Sequence, residues 1–155
     1  MTAHVADASP LIALQQIGRL PLLEALFTEI VVPPAVAREI APSVPRVPWV
    51  IQRPLTQPIA PLVLRASLGA GESEAISLAL EIHANTLLVD ERAARRLAAA
   101  VGLHVVGTLG VLLAAKRKAL LPAIKPAVDS LLEKGFWISP AVVEHALAAA
   151  GELQA

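Results

Sequence analysis

Residues 5–14 read VADASPLIAL. A short apolar run that stops at a carboxylate and passes at once into Ser-Pro reads as a buried strand ending near Asp7, with a helix starting behind it. Pro10 suits a first helical position, where its missing N–H leaves no bond unmade, and Ser9 supplies an N-cap. Leu11, Ile12, Leu14 and Ile17 then recur at near-helical spacing up to Gly18, a plausible C-cap.

The same alternation repeats along the chain. IVV (30–32) is a second buried strand, and Pro33 and Pro34 start a helix, AVAREIA, that carries Glu39. TLLVD (86–90) is the clearest strand and runs into the helix ERAARRLAAAVG, while LHVVG (103–107) runs into TLGVLLAAKRKA. Between Ala41 and Pro61 the prolines forbid a long helix and leave an irregular excursion with one edge strand, WVIQ (49–52). Helical pattern returns in LVLRAS and then in ESEAISLALEIHA, where Ala75, Ile76, Ala79 and Leu80 share an apolar face. LPLLEALFTE, PAIKPAVDSLLEKG and a final AVVEHALAAAG, opened by Ser139-Pro140, complete the helices. Strands alternating with helices predict an α/β sandwich around a mainly parallel sheet of four to five strands, in a single domain over residues 1–155.

Composition narrows the function classes. Hydrophobic residues make up 55% of the chain and aromatic residues only 3%, so aliphatic layers fill the core and some apolar surface is left for a partner. No apolar run reaches the ~18 residues of a membrane span, and the first ten residues lack the basic start of a secretory signal. With no Cys at all, disulfides, thiolate catalysis and thiolate metal sites are excluded, and a cytoplasmic protein is the expectation. Formal net charge is zero, so nucleic acid would have to be met by a local basic patch.

In open parallel sheets, sites form beyond the carboxyl ends of the strands, where the following helices point their N-termini. Asp7 and Asp90 fall at such ends, and Glu72 opens the helix after GAG. Gathered carboxylates repel one another and are reconciled by a cation. Oxygen-only ligands favour Mg²⁺ or Mn²⁺, which suits phosphodiester hydrolysis by metal-activated water. Each acid also has a plain structural role: Asp7 as a strand terminator, Glu72 and Glu74 as first-turn acids, Asp90 as N-cap of ERAARR, Glu91 as a first-turn charge, and Glu39 as a solvated mid-helix residue. Ser9 and Thr108 are hydroxyls at helix starts that could touch a metal-bound water. Arg92, Arg95 and Arg96, with Lys116, Arg117 and Lys118, form two basic clusters, either solvated faces or phosphate contacts. His4, His83, His104 and His145 show no ligand spacing. GAGE lacks the Lys-Ser/Thr of a P-loop and the fingerprint of a dinucleotide site.

Taken in order, VADASPLIAL, VVPPAVAREI, GAGESEAISLAL, LLVDERAARRLA and GTLGVLLAAKRKAL resemble the PIN-domain family, over nearly the whole chain from about His4 to the final helix. The resemblance is closest to a branch related to VapC-type toxins of toxin-antitoxin systems. It implies a PIN-like three-layer α/β/α sandwich and a Mg²⁺- or Mn²⁺-dependent endoribonuclease. It places the family's acids on Asp7, Glu39, Glu72 and Asp90, with Glu72 one methylene longer than the Asp more common there, and with Glu91, Ser9 and Thr108 as auxiliaries. Arg92, Arg95, Arg96 and Lys116 would hold the RNA backbone. A small antitoxin protein and a homodimer are the expected partners, with no membrane. The competing expectation is a weakly active or inactive PIN-like module that binds RNA or a partner protein; a nucleotide-binding α/β protein is a third.

Overall fold

A computed structural model describes residues 2–153. Five short strands, β1 (His4–Ala6), β2 (Ile30–Val32), β3 (Val50–Gln52), β4 (Thr86–Leu88) and β5 (Val105–Val106), form one sheet in the order β3-β2-β1-β4-β5, every neighbouring pair parallel. Parallel pairing demands a crossover between strands, and the apolar helices provide it. They are α1 (Ala8–Gln16), α2 (Pro21–Phe27), α3 (Pro34–Ile40), α4 (Pro61–Arg65), α5 (Ala70–Glu81), α6 (Arg92–Ala100), α7 (Thr108–Arg117), α8 (Lys125–Glu133) and α9 (Pro140–Ala149).

Helices α1, α2 and α7 pack together and α9 joins α7, whereas α5 packs on β1, β4, α4 and α6. Crossovers that run both ways from the central strand, each right-handed, put helices on both faces of a parallel sheet, and α3 lies against both α1 and α5. The central strands are consequently dry on both sides: Val5, Ala6, Ile30, Leu87 and Leu88 are fully buried, which is why these strands read as continuous apolar runs without alternation. The edge strand differs, since Ile51 and Gln52 are exposed, as the proline-dense flanks anticipated.

The expected α/β sandwich with a parallel sheet is the observed fold. Two cap assignments change. Helix α1 starts at Ala8 with Asp7 at the N-cap position, so Ser9 lies exposed inside the first turn and is not the cap. Helix α6 is capped by Glu91, whose carboxylate accepts from the Ala94 N–H at 2.8 Å, and not by Asp90. The Ser139 cap of α9 is present, with its hydroxyl accepting from the Val142 N–H at 3.2 Å.

The segment that follows α9 is fastened by one carboxylate. Glu152 accepts from the Ile124 N–H (2.8 Å), the Lys125 N–H (3.0 Å) and the Lys116 ammonium (2.9 Å), while Lys116 also donates to the Ala150 carbonyl. These bonds join α7, the start of α8 and the end of α9. Glu152→Ala is expected to lower stability by about 1 to 3 kcal/mol, the loss that follows when donors to a charged acceptor are left unpaired. Urea titration with an unchanged midpoint would show that water replaces Glu152 without loss.

Candidate active site

The site grows from the point where the order of the sheet turns. The chain leaves β1 toward β2 on one side, while β4 pairs on the other side of β1. The crevice beyond the carboxyl ends of β1 and β4 is therefore the switch point where open parallel sheets place ligands. Asp7 follows β1 directly, and its N–H donates to the Leu88 carbonyl at 2.8 Å. Asp90 follows β4, after Val89, whose N–H pairs with Val106.

Asp7 is only 4% exposed. Its pKa is pushed up to about 6, first by burial and then by the negative charges of Glu39, Asp90 and Glu91, with the Ala8 N–H opposing the rise. Its side chain makes no cap bond to α1, so capping does not account for a carboxylate in this place. No Lys, Arg or His nitrogen among the described residues lies within 4.0 Å of it.

Glu39 reaches the same space from α3. Helix α3 lies antiparallel against the first turns of α5: the Ala35 N–H donates to Glu74 Oε1 at 3.0 Å, and Glu39 comes to Gly71. A Cβ on Gly71 would collide with Glu39 Oε1 and stand 3.2 Å from Asp7 Oδ1. The Glu39 carboxylate thus occupies the place where a side chain would begin, beside the Asp7 oxygen, and glycine at that position is what admits it. Glu74, expected as a first-turn acid, lies instead in the second turn of α5 and ties α3 in place.

Glu72 is half-buried, and burial together with Asp7, Glu91 and Glu39 raises its pKa; Glu91 is close enough to share a hydrogen bond with it. The Glu91 pKa moves down because the Ala94 and Ala93 N–H groups at the start of α6 favour its charged form. Glu91 is therefore the N-cap of α6 and not a first-turn charge, and it lies beside the acids.

Asp90 is held by Thr108, whose N–H donates to Oδ1 and hydroxyl to Oδ2, each at 2.7 Å. The first residue of α7 thus fixes the orientation of an acid 18 residues earlier. A Cβ on the neighbouring Gly107 would meet Arg95 Nη1 and stand 3.0 Å from Asp90 Oδ1, so the Arg95 guanidinium lies over the glycine beside this acid. Thr108→Val removes the hydroxyl at constant shape. It is expected to weaken divalent-ion binding about 10- to 100-fold, as loss of a partner behind a ligand does, with a stability change near 1 kcal/mol. Calorimetric titration giving wild-type affinity would show that the N–H bond alone suffices.

The four acids expected from sequence therefore gather at one rim, with Glu91 and Thr108 beside them. Among the described residues no three carboxylates stand close enough together to grip one ion as they are; Glu39 is exposed, so its carboxylate has room to move toward the others. The donor set is all oxygen and negatively charged, which fits a hard divalent cation. Arg92, Arg95 and Arg96 are exposed on the first turns of α6 beside this rim. Lys116 does not join them, because it sits at the far end of α7, about 12 Å along the helix from Thr108, bonded to Glu152 and Ala150. What the sequence reading missed were the glycines as clearances and Glu74 as a brace; the signal available was GAGE itself, two glycines pressed against an acid.

No helix among the described residues is long and apolar enough to cross a membrane. No curated protein matches the chain. The model of the PIN domain, a family whose members are typically nucleases acting with divalent metals, matches residues 3–152, and the chain belongs to the PIN-domain family.

Proposed function

We propose that this PIN domain is a metal-dependent endoribonuclease that holds Mg²⁺ or Mn²⁺ with Asp7, Glu39, Glu72 and Asp90. The observation that carries the reading is Asp7, a buried carboxylate surrounded by other acids with no cationic side chain within 4.0 Å among the described residues. Such an arrangement is unfavourable by itself and becomes favourable around a cation.

When bound, a divalent ion supplies the charge that acidifies a water and offsets charge on the phosphate and the leaving oxygen. The protein's part is positional. Asp7 is fixed by the end of β1, Asp90 is oriented by Thr108, and carboxylates come from the last turn of α3 with Glu39 and the first turn of α5 with Glu72. Arg92, Arg95 and Arg96 hold the RNA backbone. With zero net charge over the chain, that attraction is local and falls steeply with salt.

The sequence resemblance extends the proposal to the toxin of a type II toxin-antitoxin pair in the cytoplasm, working as a homodimer and restrained by a small antitoxin protein. A short charged chain encoded beside it that co-purifies as a complex is the expected partner.

The test is cleavage of a mixed pool of labelled RNAs at low salt with Mn²⁺ or Mg²⁺, read alongside melting temperature. Cutting that needs the metal, and a Tm that rises with Mn²⁺ as for any ligand of the native state, is the expected result. The spacing of the carboxylates, with no three poised around one point, favours a second reading: a PIN domain that binds RNA or a protein without cutting. An Mn²⁺-insensitive Tm with no cleavage would decide for that module.

A further inference from the structure

A groove of about 390 Å³ opens between α3, α5 and the segment that follows β3. Its walls are apolar and stiff, built from Pro34, Pro54, Pro58, Leu55 and Ile59. Both walls are tied to α5. On one side the Thr56 and Gln57 N–H groups and the Thr56 hydroxyl donate to Glu81 at 2.8 to 3.1 Å; on the other the Ala35 N–H donates to Glu74 at 3.0 Å. The groove is therefore held open before anything enters it, which lowers the entropic cost of binding. Its volume lies at the small end of the ~300 to 1,000 Å³ usual for ligand sites.

Two charged side chains line it. Arg38 is exposed and has no carboxylate within 4.0 Å among the described residues. Glu74 uses Oε1 on Ala35, and its Oε2 has no donor among the described residues. Position connects the groove to the acid rim: Arg38 precedes Glu39 on α3, and Glu74 lies two residues after Glu72 on α5. A flat apolar ring with donors on its edge and a phosphate attached matches walls, carboxylate and guanidinium together. A peptide would use the walls and leave the pairing of the two charges to chance.

We infer that this groove binds one nucleobase of the RNA, a base carrying an amino group, beside the phosphate that the acid rim cuts. Glu74 Oε2 accepts from the amino group, Arg38 holds the adjoining phosphate, and the proline and aliphatic walls cover the faces of the ring. Uracil has no amino group, and its one ring N–H lies between two carbonyl oxygens that the Glu74 carboxylate repels, so it is disfavoured. The inference rests on the ribonuclease reading for the position of the phosphate.

The experiment is fluorescence anisotropy of wild type with six-nucleotide oligo-A, oligo-C and oligo-U in EDTA, repeated with Arg38→Ala and Gln57→Phe. Gln57 borders the groove and bonds through its backbone N–H, so a larger side chain there plugs the space and keeps the Glu81 bonds. Wild type is expected to bind oligo-A or oligo-C about tenfold tighter than oligo-U. Arg38→Ala should weaken all three about tenfold, and Gln57→Phe should abolish the difference between bases, with both variants keeping the wild-type Tm and its response to Mn²⁺. Equal affinity for the three oligomers, no binding, or affinities indifferent to both variants overturns the groove, even where metal-dependent cutting is intact. Base-selective binding that depends on both residues, in a protein that cuts nothing, sustains the groove and overturns the nuclease.

Discussion

Asp7→Asn is expected to melt above wild type at neutral pH in EDTA and to have no ribonuclease activity. The sign follows from the direction of the pKa. An acid whose pKa rises from 3.8 in the unfolded chain to about 6 in the folded one binds its proton more tightly when folded. The Asp7 contribution to stability is therefore greatest below about pH 4, declines as pH rises from there to 6, and stays lowered above that. The full difference amounts to roughly 3 kcal/mol at pH 7. Asparagine keeps the shape without the charge, so it recovers up to that amount, about 6 to 12 °C in a chain of this size. Below pH 4 the two proteins should melt together. With Asp7 a ligand, as proposed, activity should fall by more than the 10- to 100-fold typical of a partner behind one, and Mn²⁺ should no longer raise the Tm of the variant. Melting curves at pH 4 and 7.5, with and without Mn²⁺, check all of this. An Asn variant that melts below wild type at pH 7.5 would mean that the Asp7 charge is already compensated in the metal-free protein.

The same carboxylate shows how far the sequence carried. VADASP announced a strand, a stop and a helix, and Asp7 lies at that junction. The strands β2 and β4 were legible for a simple reason: strands buried on both faces leave continuous apolar runs between turn residues. The caps were harder. Asp7, Ser9, Asp90 and Glu91 are all chemically able to cap, and which one does depends on a one-residue shift of the helix start that residue types do not encode. Glu39 was the least conspicuous of the acids for a related reason. A glutamate inside a short helix looks solvated until the antiparallel packing of α3 on α5 is known, and that packing is set by a Glu74–Ala35 bond spanning 39 residues. Thr108 was visible as a helix start, but its two bonds to Asp90 depend on β4 and β5 being neighbours in the sheet.

Gly71→Ala should separate folding from function. Two effects act on stability in opposite directions. Alanine inside a helix gains about 1 kcal/mol over glycine. The added Cβ collides with Glu39 Oε1 and presses on Asp7 Oδ1 at 3.2 Å, a kind of overpacking that costs about 1 to 3 kcal/mol when the neighbour cannot move. Here the first neighbour can move: Glu39 is exposed, and its carboxylate is the far end of a flexible side chain that can swing into water. The cost therefore falls at the low end of that range and is largely offset by the helix gain, leaving net stability within about 1 kcal/mol of wild type. Function has no such relief, because the methyl takes the place of the Glu39 oxygen and the swing carries that carboxylate away from Asp7. Affinity for Mn²⁺ is expected to fall at least as far as the roughly 10- to 100-fold seen when a ligand's support is lost, and cleavage with it. Denaturation and calorimetric titration of the same preparation give both quantities. Wild-type Mn²⁺ affinity in a folded Gly71→Ala protein would take Glu39 out of the ligand set; a large loss of stability would show instead that Glu39 is locked in place and that the rim is rigid before any ion arrives.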